Sequence, residues 1–184
     1  VHMWIDKDGN LKRHEFVRGI MRSAARLTYE QVEAAWTGSP DRITEPLLKD
    51  VIAPLYGAFD ALQGARVRRG TIDLELPDRK VVIDKRGDVT AIEPVQRLDS
   101  HRLIEEFMIS ANVAAAEALE RQDAPCIYRV HDRPSQEKME GLRETLAPLG
   151  IKVSMGQVVK PYLFQRIVSQ ASGKPDMAVV SMAV

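Results

Sequence analysis

Five cations and one phenol fall within twenty residues of this chain. Lys12, Arg13, Arg18, Arg22 and Arg26 face a single acid, Glu15, between Asn10 and Tyr29. That stretch carries a local charge of +4, although the whole chain is neutral, with 26 Lys and Arg against 26 Asp and Glu. Cations beside an aromatic ring are the combination that single-stranded RNA favours: phosphates pair with the cations and a base or ribose lies against the ring. Arg26 and Tyr29 are the candidates here, and Tyr29 reads equally well as a solvent-edge residue at a helix start. Arg66, Arg68 and Arg69 form a second cationic group. Their charges suit the negative end of a helix, and they lead straight into a strand, from which guanidinium groups such as that of Arg69 reach a passing phosphate. Glu105 and Glu106 are adjacent, so on a helix they project about 100° apart and do not share a proton or a metal ion. They read as an exposed helix face, or as acceptors for a sugar 2′-hydroxyl.

Other chemistries find less support. His2, His14, His101 and His131 are far apart and form no helical i, i+4 pair, so no metal-ligand spacing is present. His131-Asp132 reads as a turn whose polar groups cap the helix after Pro134. Cys126 sits in an apolar run and reads as a core residue rather than a nucleophile. No Gly-x-Ser-x-Gly, Walker or Gly-x-Gly-x-x-Gly pattern occurs. One cysteine excludes an intrachain disulfide framework. Neutrality excludes a protein driven onto nucleic acid or anionic lipid by its overall charge. No apolar run approaches the length of a membrane span, and there is no signal-peptide pattern, so a reduced, cytoplasmic, soluble protein with no membrane partner is expected.

The elements that position these residues follow from periodicity. Trp4–Asp6 and Leu11–Phe16 flank Lys7-Asp8-Gly9-Asn10 as a hairpin. Thr28 caps a short helix, Tyr29–Trp36, with Gln31 in a capping-box position, and Gly38-Ser39-Pro40 ends it. A longer helix is expected from Thr44 to Val67, kinked or divided at Pro54. Strands are expected at 71–76, 80–84 and 89–95. The strongest helix, Asp99–Gln122, gathers Leu103, Ile104, Phe107, Met108, Ala111, Ala114, Ala115, Ala118 and Leu119 on one arc, with His101, Glu105 and Glu106 on the other. A buried strand at Cys126–Val130, a helix from Ser135 to about Leu149 stopped by Gly150, and a final helix at 157–171 complete the reading. The fold class is mixed α and β (α+β): hairpins and antiparallel sheet packed with several helices. The chain opens within an apparent strand and closes on an apolar run, ends expected of a piece of a longer polypeptide.

Four blocks then carry a family pattern. Phe16 to Tyr29, ending Arg-Leu-Thr-Tyr, resembles a segment of the RNase II and RNase R type exoribonucleases, as does Arg69-Gly70-Thr71-Ile72-Asp73-Leu74-Glu75. Most specific are His101 to Ala116, containing Leu-Ile-Glu-Glu, and Tyr128-Arg129-Val130-His131-Asp132-Arg133-Pro134-Ser135. The blocks occur in family order over nearly the whole chain and are closer to the RNase R branch. The resemblance implies that residues 1–184 are an internal fragment of a single RNB catalytic domain, without flanking OB-type RNA-binding domains. It implies processive 3′-to-5′ hydrolysis of RNA to nucleoside 5′-monophosphates with Mg²⁺ by the whole enzyme, expected to be a monomer. The family's catalytic aspartate cluster is expected upstream, so the fragment alone is expected to be inactive and to bind no metal. Its partner is the 3′ end of single-stranded RNA. Tyr29 matches a family tyrosine near the 3′-terminal nucleotide. Glu106 matches an acid that contacts ribose, with Glu105 the choice if the register differs by one. Leu74 stands where a base-stacking phenylalanine is common. An alternative is a stand-alone, non-catalytic RNA-binding or regulatory module.

Overall fold

A computed structural model describes residues 1–72, 79–153 and 160–184, which divide into two units. The first holds Val1–Val67 and Arg97–Ile127. It opens with the antiparallel pair β1 (His2–Ile5) and β2 (Leu11–Glu15), whose register shifts between Trp4 and Ile5. Gly9 adopts φ +72° in the turn, and a Cβ there would lie 2.1 Å from the Ala61 carbonyl oxygen. Only glycine satisfies both conditions. The other end of the hairpin is tied down by His14, whose side chain is nearly buried with Nδ1 3.5 Å from Glu117 Oε2.

Helix α1 (Tyr29–Trp36) begins where the Thr28 cap predicts. Beyond it, α2 (Glu45–Leu47) runs through a π-helical turn, Leu48–Ile52, into α3 (Ala53–Arg68). The expected break at Pro54 therefore takes the form of a widened turn. Pro54 has no N–H to offer Asp50, and the Ala53 N–H reaches back five residues to the Leu48 carbonyl. Helix α4 (Asp99–Arg121) completes the unit. Ala35, Ile52, Tyr56, Phe59 and Leu103 form its buried core, with Val32, Leu47, Leu48 and Phe107 packed against it.

The second unit holds Arg68–Gln96 and Tyr128–Val184. Its hairpin pairs β3 (Arg79–Ile83) with β4 (Val89–Pro94). Asp84 Oδ1 accepts the Arg86 and Asp88 N–H groups to shape the turn. Helix α5 (Gln136–Leu146) starts on Ser135, whose hydroxyl accepts the Lys138 N–H. A 3₁₀ turn, Ala147–Leu149, closes it onto Gly150 at φ +73°. Helices α6 (Pro161–Ala171) and α7 (Met177–Ala183) bury Ile167, Ala171 and Val180 against Met139, Leu142 and Leu146.

Three expectations need correction. Cys126–Val130 is not a buried strand: residues 126–130 are irregular, Ile127 and Val130 are exposed, and Cys126 is only half-buried. An apolar run at strand-like spacing is a propensity, which tertiary context can override. The apolar arc of α4 is also rotated from its expected position. Leu103 and Ala114 are buried, but Ile104, Met108 and Leu119 are exposed, and the buried stripe runs through Ser100 and Glu106 instead. Helix α7 was not expected: it spans only seven residues, and Asp176 at its cap position makes no side-chain cap hydrogen bond. The expected strand at 71–76 and the start of the helix expected at 157 lie on residues outside those described, apart from Thr71 and Ile72, which are not in a strand.

Candidate RNA-contacting site

Tyr29 is the first residue of α1, and a linked set of side chains fixes it there. Thr28 Oγ1 accepts the Gln31 N–H at 3.3 Å, while Gln31 Oε1 accepts the Thr28 N–H at 2.9 Å, closing the capping box. Gln31 Nε2 in turn donates to Asp41 Oδ2 at 3.1 Å. Asp41 also accepts from the Thr44 N–H at 2.7 Å, the Thr44 hydroxyl and the Ile43 N–H. These bonds, the Thr44 amide foremost, hold the Asp41 carboxyl below the usual carboxylate range.

The ring of Tyr29 stacks on His101 of α4, with centroids 4.1 Å apart and planes at 22°. Glu33, one turn further along α1, ties the same two helices together. Its Oε2 accepts the Ser100 N–H at 2.8 Å and the Tyr56 hydroxyl at 3.1 Å. Burial first, and then the neighbouring Glu33 carboxylate, push the Tyr56 phenol well above its ordinary pKa. A mostly apolar cavity of about 220 Å³ opens beside Tyr29, lined by Leu27, Val51, Leu55, Leu103 and Ile104 among others.

The adjacent carboxylates of α4 have opposite surroundings. Glu105 is half-exposed and pairs with Arg97. Glu106 is only 3% exposed and is met by Arg66 of α3, Nη1 to Oε1 at 2.7 Å. The expectation that both lie on a solvent face therefore fails for Glu106: its buried charge is compensated by a cation that had been read as a dipole-matched helix end. Arg26 is exposed in the irregular run before α1, as are Arg18 and Arg22. Arg69 is exposed in the second unit. Leu74 lies outside the described residues.

Glu33, Tyr56 and His101 were missed as parts of this site. A local signal for His101 is its place, third residue of a helix whose cap, Leu98, has no side-chain acceptor. Among the described residues, no group of three or more His, Cys, Asp or Glu side chains is placed to hold a metal ion. No helix among them is long and apolar enough to cross a membrane.

The model of the RNB domain matches residues 1–182. The chain belongs to the RNB domain family. Curated members similar to this RNB chain include Ribonuclease R of Aquifex aeolicus (strain VF5), 39% identical over 98% of this chain and 26% of that protein. Ribonuclease R of Escherichia coli (strain K12) is 34% identical over 95% of this chain and 22% of its own length. The chain thus spans about a quarter of the length of these relatives. Among solved structures, the apo form of Mycoplasma genitalium RNase R superposes with a TM-score of 0.91 at 23% identity, over 98% of this chain and 28% of that one. The same protein in complex with ribose methylated single-stranded RNA gives 0.77 at 24% identity, over 84% of this chain and 24% of that one. These two likenesses establish the α+β fold of a partial RNB domain.

Proposed function

We propose that these residues are part of a processive 3′-to-5′ exoribonuclease that hydrolyses RNA to nucleoside 5′-monophosphates with Mg²⁺. Their own share is contact with the 3′ end of single-stranded RNA. The observation that carries this reading is Tyr29: a 42% exposed ring, held from behind, at the end of a cationic run whose Arg18, Arg22 and Arg26 are open to solvent. Phosphates meet the guanidinium groups and a nucleotide meets the ring. Membership of the RNB family and the Ribonuclease R relatives support the same reading.

A carboxylate of the Glu105–Glu106 pair accepts a ribose hydroxyl in this account. Glu105 is half-exposed as it stands, whereas Glu106 is held by Arg66. Arg69 and Leu74 contribute a phosphate contact and an apolar surface for a base. The metal-holding acids belong to sequence beyond this chain, so no step through Mg²⁺ is assigned to it. The whole enzyme acts as a cytoplasmic monomer.

The test is incubation with a fluorescent RNA bearing a 3′ overhang and Mg²⁺, followed by mobility shift and product length. Retarded RNA of unchanged length is the expected result. Stepwise shortening would contradict the assignment of the metal site elsewhere, and absence of any shift would contradict the RNA contact.

A further inference from the structure

The Tyr29–His101 stack joins two residues that are each held at a helix start. Tyr29 follows the Thr28–Gln31 capping box of α1. His101 is the third residue of α4, and its Nδ1 accepts the Leu98 N–H at 3.2 Å. Leu98 has no acceptor to offer α4 in return, and His101 supplies the one side-chain half of a capping box that exists there. A flat imidazole, anchored through Nδ1, is thereby laid against the phenol, on the helix that also carries Glu105 and Glu106.

We propose that His101 is a positioning residue for Tyr29. It backs one side of the phenol ring and fixes its orientation relative to the two carboxylates, while the exposed remainder of the ring meets a nucleobase or ribose. The proposal rests on the reading of Tyr29 as an RNA contact. Its chemistry is that of an aromatic pair, so removing the ring releases the phenol into other rotamers before RNA arrives, and binding pays for that lost order.

Two variants separate positioning from capping. His101→Gln keeps a capping-box acceptor and loses the ring, whereas His101→Phe keeps a ring and loses the acceptor. Binding of a fluorescent single-stranded oligoribonucleotide and the thermal midpoint are measured for both, beside Tyr29→Ala and the unsubstituted chain. A positioning role predicts that His101→Gln weakens binding about fivefold with its midpoint unchanged. His101→Phe then binds within about twofold of the parent even though its midpoint falls with the lost cap. The reverse pattern, with binding that follows the midpoint, would reduce His101 to a cap and overturn the proposal. Weak binding by Tyr29→Ala together with normal binding by His101→Gln would overturn this proposal alone. Normal binding by Tyr29→Ala, or no binding by the unsubstituted chain, would overturn the reading of Tyr29 and His101 with it.

Discussion

Arg66 and Glu106 meet across α3 and α4 with Nη1 2.7 Å from Oε1, the arginine side chain 16% exposed and the glutamate 4%. A carboxylate this far from water is stable only while its partner stays. Arg66→Met should therefore cost about 3–5 kcal/mol, because it leaves a buried charge uncompensated. Replacing both residues by apolar ones should recover most of that loss. Urea denaturation of the single and double variants measures it, and an Arg66→Met chain as stable as the parent would show that the pair is not buried in solution.

The acid limb of stability should depend on Asp41. Its folded pKa is depressed, chiefly by the Thr44 amide, so its contribution is present above the unfolded value of about 3.9 and is lost as pH falls through the lower folded value. Loss of this carboxylate also loosens Gln31 and hence the cap in front of Tyr29. Asp41→Asn should flatten the decline of the thermal midpoint below about pH 4. An unchanged decline would place the acid sensitivity elsewhere.

Tyr56 governs the opposite limb. Its folded pKa is raised, so its contribution is complete below the unfolded value of about 10 and disappears as pH rises through the folded value. Tyr56→Phe should remove that alkaline decline. At neutral pH it costs about 1.5–3 kcal/mol, the worth of a hydrogen bond to a charged group. Glu33 then retains the Ser100 N–H of its two bonds. A midpoint followed from pH 8 to 11 in both proteins decides the point.

Gly9 tests the seating of the first hairpin. With φ at +72° and the Ala61 carbonyl oxygen 2.1 Å from where a Cβ would stand, Gly9→Ala adds backbone strain to a direct clash. A loss of about 2 kcal/mol or more is expected. A neutral Gly9→Ala would mean that the turn does not rest on α3.

Local signals in the sequence located most of the elements and only part of the site. Thr28 with Gln31, Asp8-Gly9 and Gly150 each act within a few residues, and the structure places a cap, a turn and a stop at those positions. Glu106 was legible as a carboxylate but not as a buried one, because its environment depends on Arg66, forty residues away in sequence. The same holds for Glu33, whose partners Tyr56 and Ser100 come from two other helices. The α4 arc shows the converse. Periodicity identified an apolar face, but what covers a face is decided by the neighbours present, and within this unit they take the side of Leu103 and Glu106. Cys126–Val130 shows the limit of propensity as well: an apolar, β-prone run is irregular and largely exposed among the described residues.

In the proposed function, a phenol at the start of α1 and a carboxylate two turns into α4 read the end of an RNA chain. The most direct measurement compares the affinity for an oligoribonucleotide with that for the same oligomer ending in a 2′-deoxynucleotide, in the parent chain and in Tyr29→Ala, Glu105→Gln and Glu106→Gln. The account predicts tighter binding of the all-ribose end by the parent, loss of that preference in one of the two glutamate variants, and weaker binding of both oligomers by Tyr29→Ala. Equal affinity for the two ends in the parent, with no effect of Tyr29→Ala, would contradict it.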